Sequence, residues 1–115
     1  MSTKIFHNPR CSKSRQTLAI LTEHGESPQI IKYLETPPDA AELRRLLDML
    51  GISPRDLMRK GEAEYKAQGL DDESLDDAAL IEAMVKTPRL MERPIVVKNG
   101  KAALGRPPER VVDIL

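Results

Sequence analysis

At 115 residues the chain has the length of one domain, large enough to bury a core without disulfides or structural metal. Eighteen Lys and Arg balance eighteen Asp and Glu, so no net field draws it to nucleic acid or to an anionic membrane. Short apolar runs, an N-terminus without secretory-signal features, one cysteine and two well-separated histidines lead to the expectation of a soluble cytoplasmic protein with no membrane span, no internal disulfide and no metal site.

The first β-capable run is "KIFH", and "SKSRQTLAILTEHG" after it carries Leu18 and Leu21 at helical spacing, with Gly25 as a C-terminal stop. "IIKYL" reads as a second strand. "PDAAELRRLLDMLG" is the clearest helix, with Asp39 as N-cap, Glu42 three residues on, and a buried stripe of Leu43, Leu46, Leu47 and Leu50. Ser53 and Pro54 open a short helix running through Met58. "DDAALIEAMVKTP" makes another, acidic at its start and stopped by Pro88. "PIVVKNGKAAL" places two β-capable runs around Asn99-Gly100, a signal for a tight antiparallel hairpin. Pro107 and Pro108 introduce a terminal helix with Val111, Val112 and Leu115.

A β-α-β unit, a helical insert at about 39–92 and a β-β-α unit together predict an α/β fold over residues 1–115: a small mixed sheet with helices on it, in the order of a thioredoxin-like fold. Within that order Cys11 falls between the first strand and the first helix. The unpaired amides and the dipole of a helix N-terminus stabilise an anion there, and the same amides can cradle an oxyanion with the Ser14 hydroxyl as a further donor. Lys13 and Arg15 add positive potential. A lone cysteine is also a common small core residue, and the position at the junction is what favours chemistry. The acidic stretch "DDESLDDAA" lacks the spaced ligands and glycine of a calcium loop and suits a solvated helix start.

The segments "HNPRCSKSR", "DLMRKGE", "LMERPIVV" and "LGRPPE", in that order, resemble the ArsC family of arsenate reductases, the glutaredoxin-coupled type, over nearly the whole chain. The resemblance implies that Cys11 is the nucleophile that forms a thioarsenate intermediate. It implies that Arg59, Arg93 and Arg106 bind the oxyanion and stabilise the thiolate, that His7 supports ionisation of the cysteine, and that a cis peptide bond precedes Pro94. Guanidinium forks match a tetrahedral oxyanion better than ammonium groups do. His7 also fits the plainer part of a hydrogen-bonded residue at a strand end.

Further implied are arsenate as substrate, no bound cofactor, glutathione as reducing co-substrate and glutaredoxin as partner, because no second protein cysteine can resolve the intermediate. Ser12 and Lys13 stand where well-known members carry glycine and threonine, so the oxyanion pocket is expected to be tuned differently. Two other readings stand beside it: a regulator of the Spx type, which shares the fold and binds RNA polymerase, and a general glutathione-dependent thiol oxidoreductase that does not reduce arsenate. Regulators of that type commonly carry Cys-x-x-Cys, and here the fourth position is Ser14.

Overall fold

A computed structural model describes residues 3–115. The chain folds as two compact units, one made of Met1–Thr36 with Arg93–Leu115 and the other of Pro37–Glu92.

The first unit holds a four-stranded sheet in the order β2-β1-β3-β4. Strand β1 (Thr3–Phe6) runs parallel to β2 (Gln29–Ile31) and antiparallel to β3 (Ile95–Lys98), which pairs antiparallel with β4 (Lys101–Leu104). The two central strands carry the apolar side chains that must leave water: Ile5, Phe6, Ile95 and Val96 are all buried. Helix α1 (Ser12–Glu23) and a terminal 3₁₀ segment (Pro108–Ile114) pack on this sheet, and Ile5, Leu21, Val96 and Val111 form the centre of the core. Strand-helix-strand followed by hairpin and terminal helical segment is the thioredoxin-like arrangement expected from the sequence.

Local chemistry explains the turns. Asn99 (φ 54°) and Gly100 (φ 75°) both take the left-handed conformation that a two-residue type I′ hairpin requires, with Lys98 opposite Lys101. Glu26, just past α1, bonds Lys98 Nζ at 2.6 Å and accepts from the Thr3 hydroxyl, which ties the start of β1 and the end of β3 to the exit of the helix. The Lys98 ammonium, followed by the Thr3 hydroxyl, holds the Glu26 carboxyl below its ordinary range.

The second unit is helical. Helix α2 (Ala40–Leu50) starts at Asp39, whose side chain accepts the Glu42 amide at 2.8 Å, and ends at Gly51 in the left-handed conformation (φ 69°). Then follow α3 (Pro54–Leu57), capped by Ser53, α4 (Ala63–Ala67), α5 (Asp77–Lys86), capped by Asp76, and a short 3₁₀ turn (Pro88–Leu90). Helix α5 packs against α2 and α3 through Leu80, Ile81 and Met84.

Four details differ from the sequence expectation. The second strand stops at Ile31, because Lys32 O accepts the amides of Glu35 and Thr36 and turns the chain, carrying Tyr33 into a buried position. Leu50 lies at the last turn of α2 and is half-buried, whereas Leu43, Leu46 and Leu47 are buried. Helix α4 is five residues long, too short to show a helical period in sequence. The terminal segment is 3₁₀, so its three-residue repeat turns Val111 to the core and leaves Val112 39% exposed.

The Asp39 cap is exposed and isolated, so its contribution should be readable by itself. Asp39→Ala should lower the unfolding free energy by about 1 kcal/mol, seen as an earlier urea midpoint at unchanged slope.

Candidate active site

Cys11 is the N-cap residue of α1, with extended backbone (φ −92°, ψ 123°) and no hydrogen bond from its side chain to the helix amides. It is a free, half-buried thiol. The helix ladder begins with the Arg15 amide on Cys11 O at 3.0 Å, so the amides of Ser12, Lys13 and Ser14 precede it. Sulfur is thus held at the positive end of a twelve-residue helix. The Cys11 amide itself is committed to Asn8 O at 3.0 Å and takes no part in an anion cradle.

The loop that delivers Cys11 is organised by Asn8. Its backbone carbonyl accepts from Cys11, its side-chain oxygen accepts the Arg10 amide at 3.1 Å, and its own amide donates to Ser14 Oγ at 3.1 Å. Arg15, one turn into α1, donates from its guanidinium to Pro9 O at 2.9 Å. The role of Asn8 was not anticipated from sequence, although Asn-Pro is a turn-initiating pair.

Ser14 and His7 meet beneath this loop. Ser14 is fully buried and His7 is 5% exposed, with Ser14 Oγ 2.6 Å from His7 Nδ1. Burial, then the positive charges of Lys32 and Arg15, lower the His7 pKa from its ordinary value, so the ring is neutral at neutral pH. Two proton arrangements satisfy the geometry. When Nδ1 is bare, Ser14 donates to it. When Nδ1 carries the proton, Ser14 accepts from both His7 and the Asn8 amide, and its own hydroxyl proton is left to a third group. Ser14 occupies the third helical position after Cys11, the neighbour of an N-cap side chain. The plain reading of His7 as a hydrogen-bonded residue at the end of a strand is therefore satisfied, and by the same residue that was expected to serve Cys11.

Arg93 and Arg106 belong to this sheet unit and come together: Arg106 Nε donates to Arg93 O at 2.9 Å. Both are half-buried, and Arg93 Nε is buried with no hydrogen-bond partner among the described residues. Each precedes a proline through a cis peptide bond, the one before Pro94 as the resemblance implied. Arg59 belongs to the helical unit. There its guanidinium pairs with Glu62 and, through Nε at 3.3 Å, with Glu92, while Arg89 also reaches Glu62 at 3.4 Å. Its charge is thus already compensated by two carboxylates. Among the described residues no group of His, Cys, Asp and Glu is placed to hold a metal ion, and no helix is long and apolar enough to cross a membrane.

Residues 6–114 match the model of the ArsC family. The chain is 61% identical over 113 residues to the uncharacterised protein YfgD of Escherichia coli K12, with 97% of this chain and 95% of that protein covered. It is 51% identical over 113 residues to an arsenate reductase of Neisseria meningitidis serogroup B, with 97% of each covered. Among solved structures, an arsenate reductase from Vibrio cholerae superposes with a TM-score of 0.98 at 55% identity, covering 100% of this chain and 98% of that one.

The depressed His7 pKa carries a pH signature. A histidine that resists protonation in the fold gives the unfolded chain more bound protons over the interval from about 6.5 down to the folded value, so stability falls as pH is lowered through that window. His7→Gln should remove this component. The difference in urea-unfolding free energy between wild type and variant should shrink as pH goes from 7.5 to 5.5, and a pH-independent difference would show that His7 titrates alike in both states.

Proposed function

The chain belongs to the ArsC family, and on that premise we propose that it is an arsenate reductase in which Cys11 attacks arsenic and glutathione with glutaredoxin completes the reduction. The observation that supports this reading most is the placement of the one cysteine: a free thiol capping α1, beside helix amides outside the backbone ladder and a buried Ser14–His7 pair.

Each step can be balanced with these groups. The Cys11 thiolate forms a sulfur–arsenic bond, and one arsenate oxygen leaves as water after taking up protons; arsenic is still pentavalent. A glutathione thiolate then attacks Cys11 sulfur. The sulfur–arsenic bond breaks, its electron pair stays on arsenic, and trivalent arsenite departs while a Cys11–glutathione disulfide forms. Glutaredoxin thiolate takes the glutathione and returns Cys11 to its reduced state. No second cysteine exists in the chain to perform that resolution.

The residues around the thiol divide the work. The α1 amides favour the thiolate and the oxygens brought to it, and the Ser14 hydroxyl joins them in the arrangement in which His7 Nδ1 carries its own proton. Arg93 and Arg106 supply planar donor forks to the oxyanion. With Arg106 Nε spent on Arg93 O, the plane of its guanidinium is set before substrate arrives. Arg59 takes the same part on the strength of its sequence context, and an anion would compete there with Glu62 and Glu92. This reading includes no bound cofactor.

The test is arsenate-dependent NADPH oxidation coupled through glutathione, glutaredoxin and glutathione reductase. Wild type should turn over and Cys11→Ser should not, since a serine hydroxyl ionises far too weakly to replace the thiolate. Arg93→Lys and Arg106→Lys should each lower kcat/KM at least about tenfold, roughly 1.4 kcal/mol of transition-state stabilisation, with circular dichroism unchanged. Folded wild type without arsenate-dependent turnover would contradict the proposal and favour a polymerase-binding regulator, to be sought by capture of RNA polymerase subunits, or a general thiol oxidoreductase, to be sought with a disulfide substrate.

A further inference from the structure

Gly105 immediately precedes Arg106, is buried, and joins three parts of the sheet unit. Its amide donates to Pro94 O at 3.0 Å. A methyl group placed on its Cα would lie 2.4 Å from Thr17 Oγ1 and 2.7 Å from Pro94 Cγ, far inside van der Waals contact. Its φ is not in the left-handed range, so glycine is required here by space and not by backbone conformation. Thr17 is fully buried on α1 and its hydroxyl donates to Lys13 O at 2.8 Å, in the first turn beyond Cys11. A continuous set of contacts thus runs from the Cys11 end of α1 through Thr17 to Gly105, and from Gly105 to the segment holding Arg93 and Pro94.

We propose that Gly105 is a positioning residue whose missing side chain sets how closely the Arg93–Arg106 pair lies to the start of α1, and so fixes the affinity of the site for a tetrahedral oxyanion. The inference rests on the functional reading above. A side chain at 105 requires a shift of the Thr17 and Pro94 side chains it meets or of the β4 exit, and both neighbours are buried and leave little room to give way. A movement of the β4 exit carries Arg106 off Arg93 O, because Gly105 is bonded directly to Arg106 and Pro94 directly to Arg93. Sub-ångström to ångström misplacement of an orienting group is enough to weaken recognition strongly. The thiol itself would be little affected, since Cys11 is held by Asn8 and by α1.

The experiment is protection of Cys11 from iodoacetamide by arsenate in wild type and Gly105→Ala. The half-protecting arsenate concentration should rise about tenfold in the variant, while the alkylation rate without arsenate stays within about twofold. A merely destabilised protein would instead alkylate faster without arsenate. The same variant should show a raised KM for arsenate with kcat within about threefold. If Gly105→Ala does not fold, the comparison is made in a Thr17→Ala background, where the nearest obstruction is gone; adding Gly105→Ala there should still weaken protection about threefold through Pro94. Unchanged half-protection on adding Gly105→Ala overturns the inference and leaves the functional reading standing. No protection of wild type by arsenate overturns that reading, and the inference with it.

Discussion

The candidate site depends on one buried hydroxyl. Ser14 Oγ receives the Asn8 amide from the loop above it and faces His7 Nδ1 from the end of β1. Removal of that oxygen would strand two buried polar groups, the Asn8 amide and His7 Nδ1, at a cost of about 1–3 kcal/mol each. The hydroxyl therefore fixes the loop relative to helix and strand, and the loop fixes Cys11 at the helix N-cap. Asn8 contributes the remaining bonds, through its carbonyl to Cys11 and its side chain to Arg10. The sulfur needs no hydrogen bond of its own to be located; the backbone on both sides of it is already committed.

This explains a division among the basic residues. Arg15 is tied to Pro9 O and serves the loop. Arg106 is tied to Arg93 O and serves its neighbour's alignment. Arg59 is balanced by Glu62 and Glu92. A guanidinium with five donors can spend one on a fixed acceptor and keep its planar recognition geometry, which an ammonium cannot do. Pre-alignment of this sort lowers the ordering cost of binding.

Much of the fold was legible because its signals are local. Asn99-Gly100 specifies its hairpin by the sign of φ, Asp39 with Glu42 specifies a helix start, and the leucines of α2 specify its buried face. The end of β2 was not legible, because a buried tyrosine in a turn reads like a strand residue, and the 3₁₀ character of the terminus was not, because Val111, Val112 and Leu115 fit either repeat. At the site, Cys11 could be located from the strand-to-helix junction, and the arginines only from resemblance, since a surface arginine carries no signal of its own. Asn8 acts through bonds two to six residues on, of which the turn-initiating Asn-Pro pair is the one local sign, whereas Gly105 meets Thr17 across the chain, a contact that no local pattern announces.

In the proposed reaction Cys11 sulfur is the reacting atom and its intermediate is resolved by a thiol from solution. Incubating the protein with arsenate and glutathione in the absence of glutaredoxin, then recording the intact mass, tests this most directly. One added glutathione should accumulate at Cys11, dependent on arsenate and absent in Cys11→Ser. Full turnover with thioredoxin alone, or a glutathione adduct that forms equally without arsenate, would contradict it.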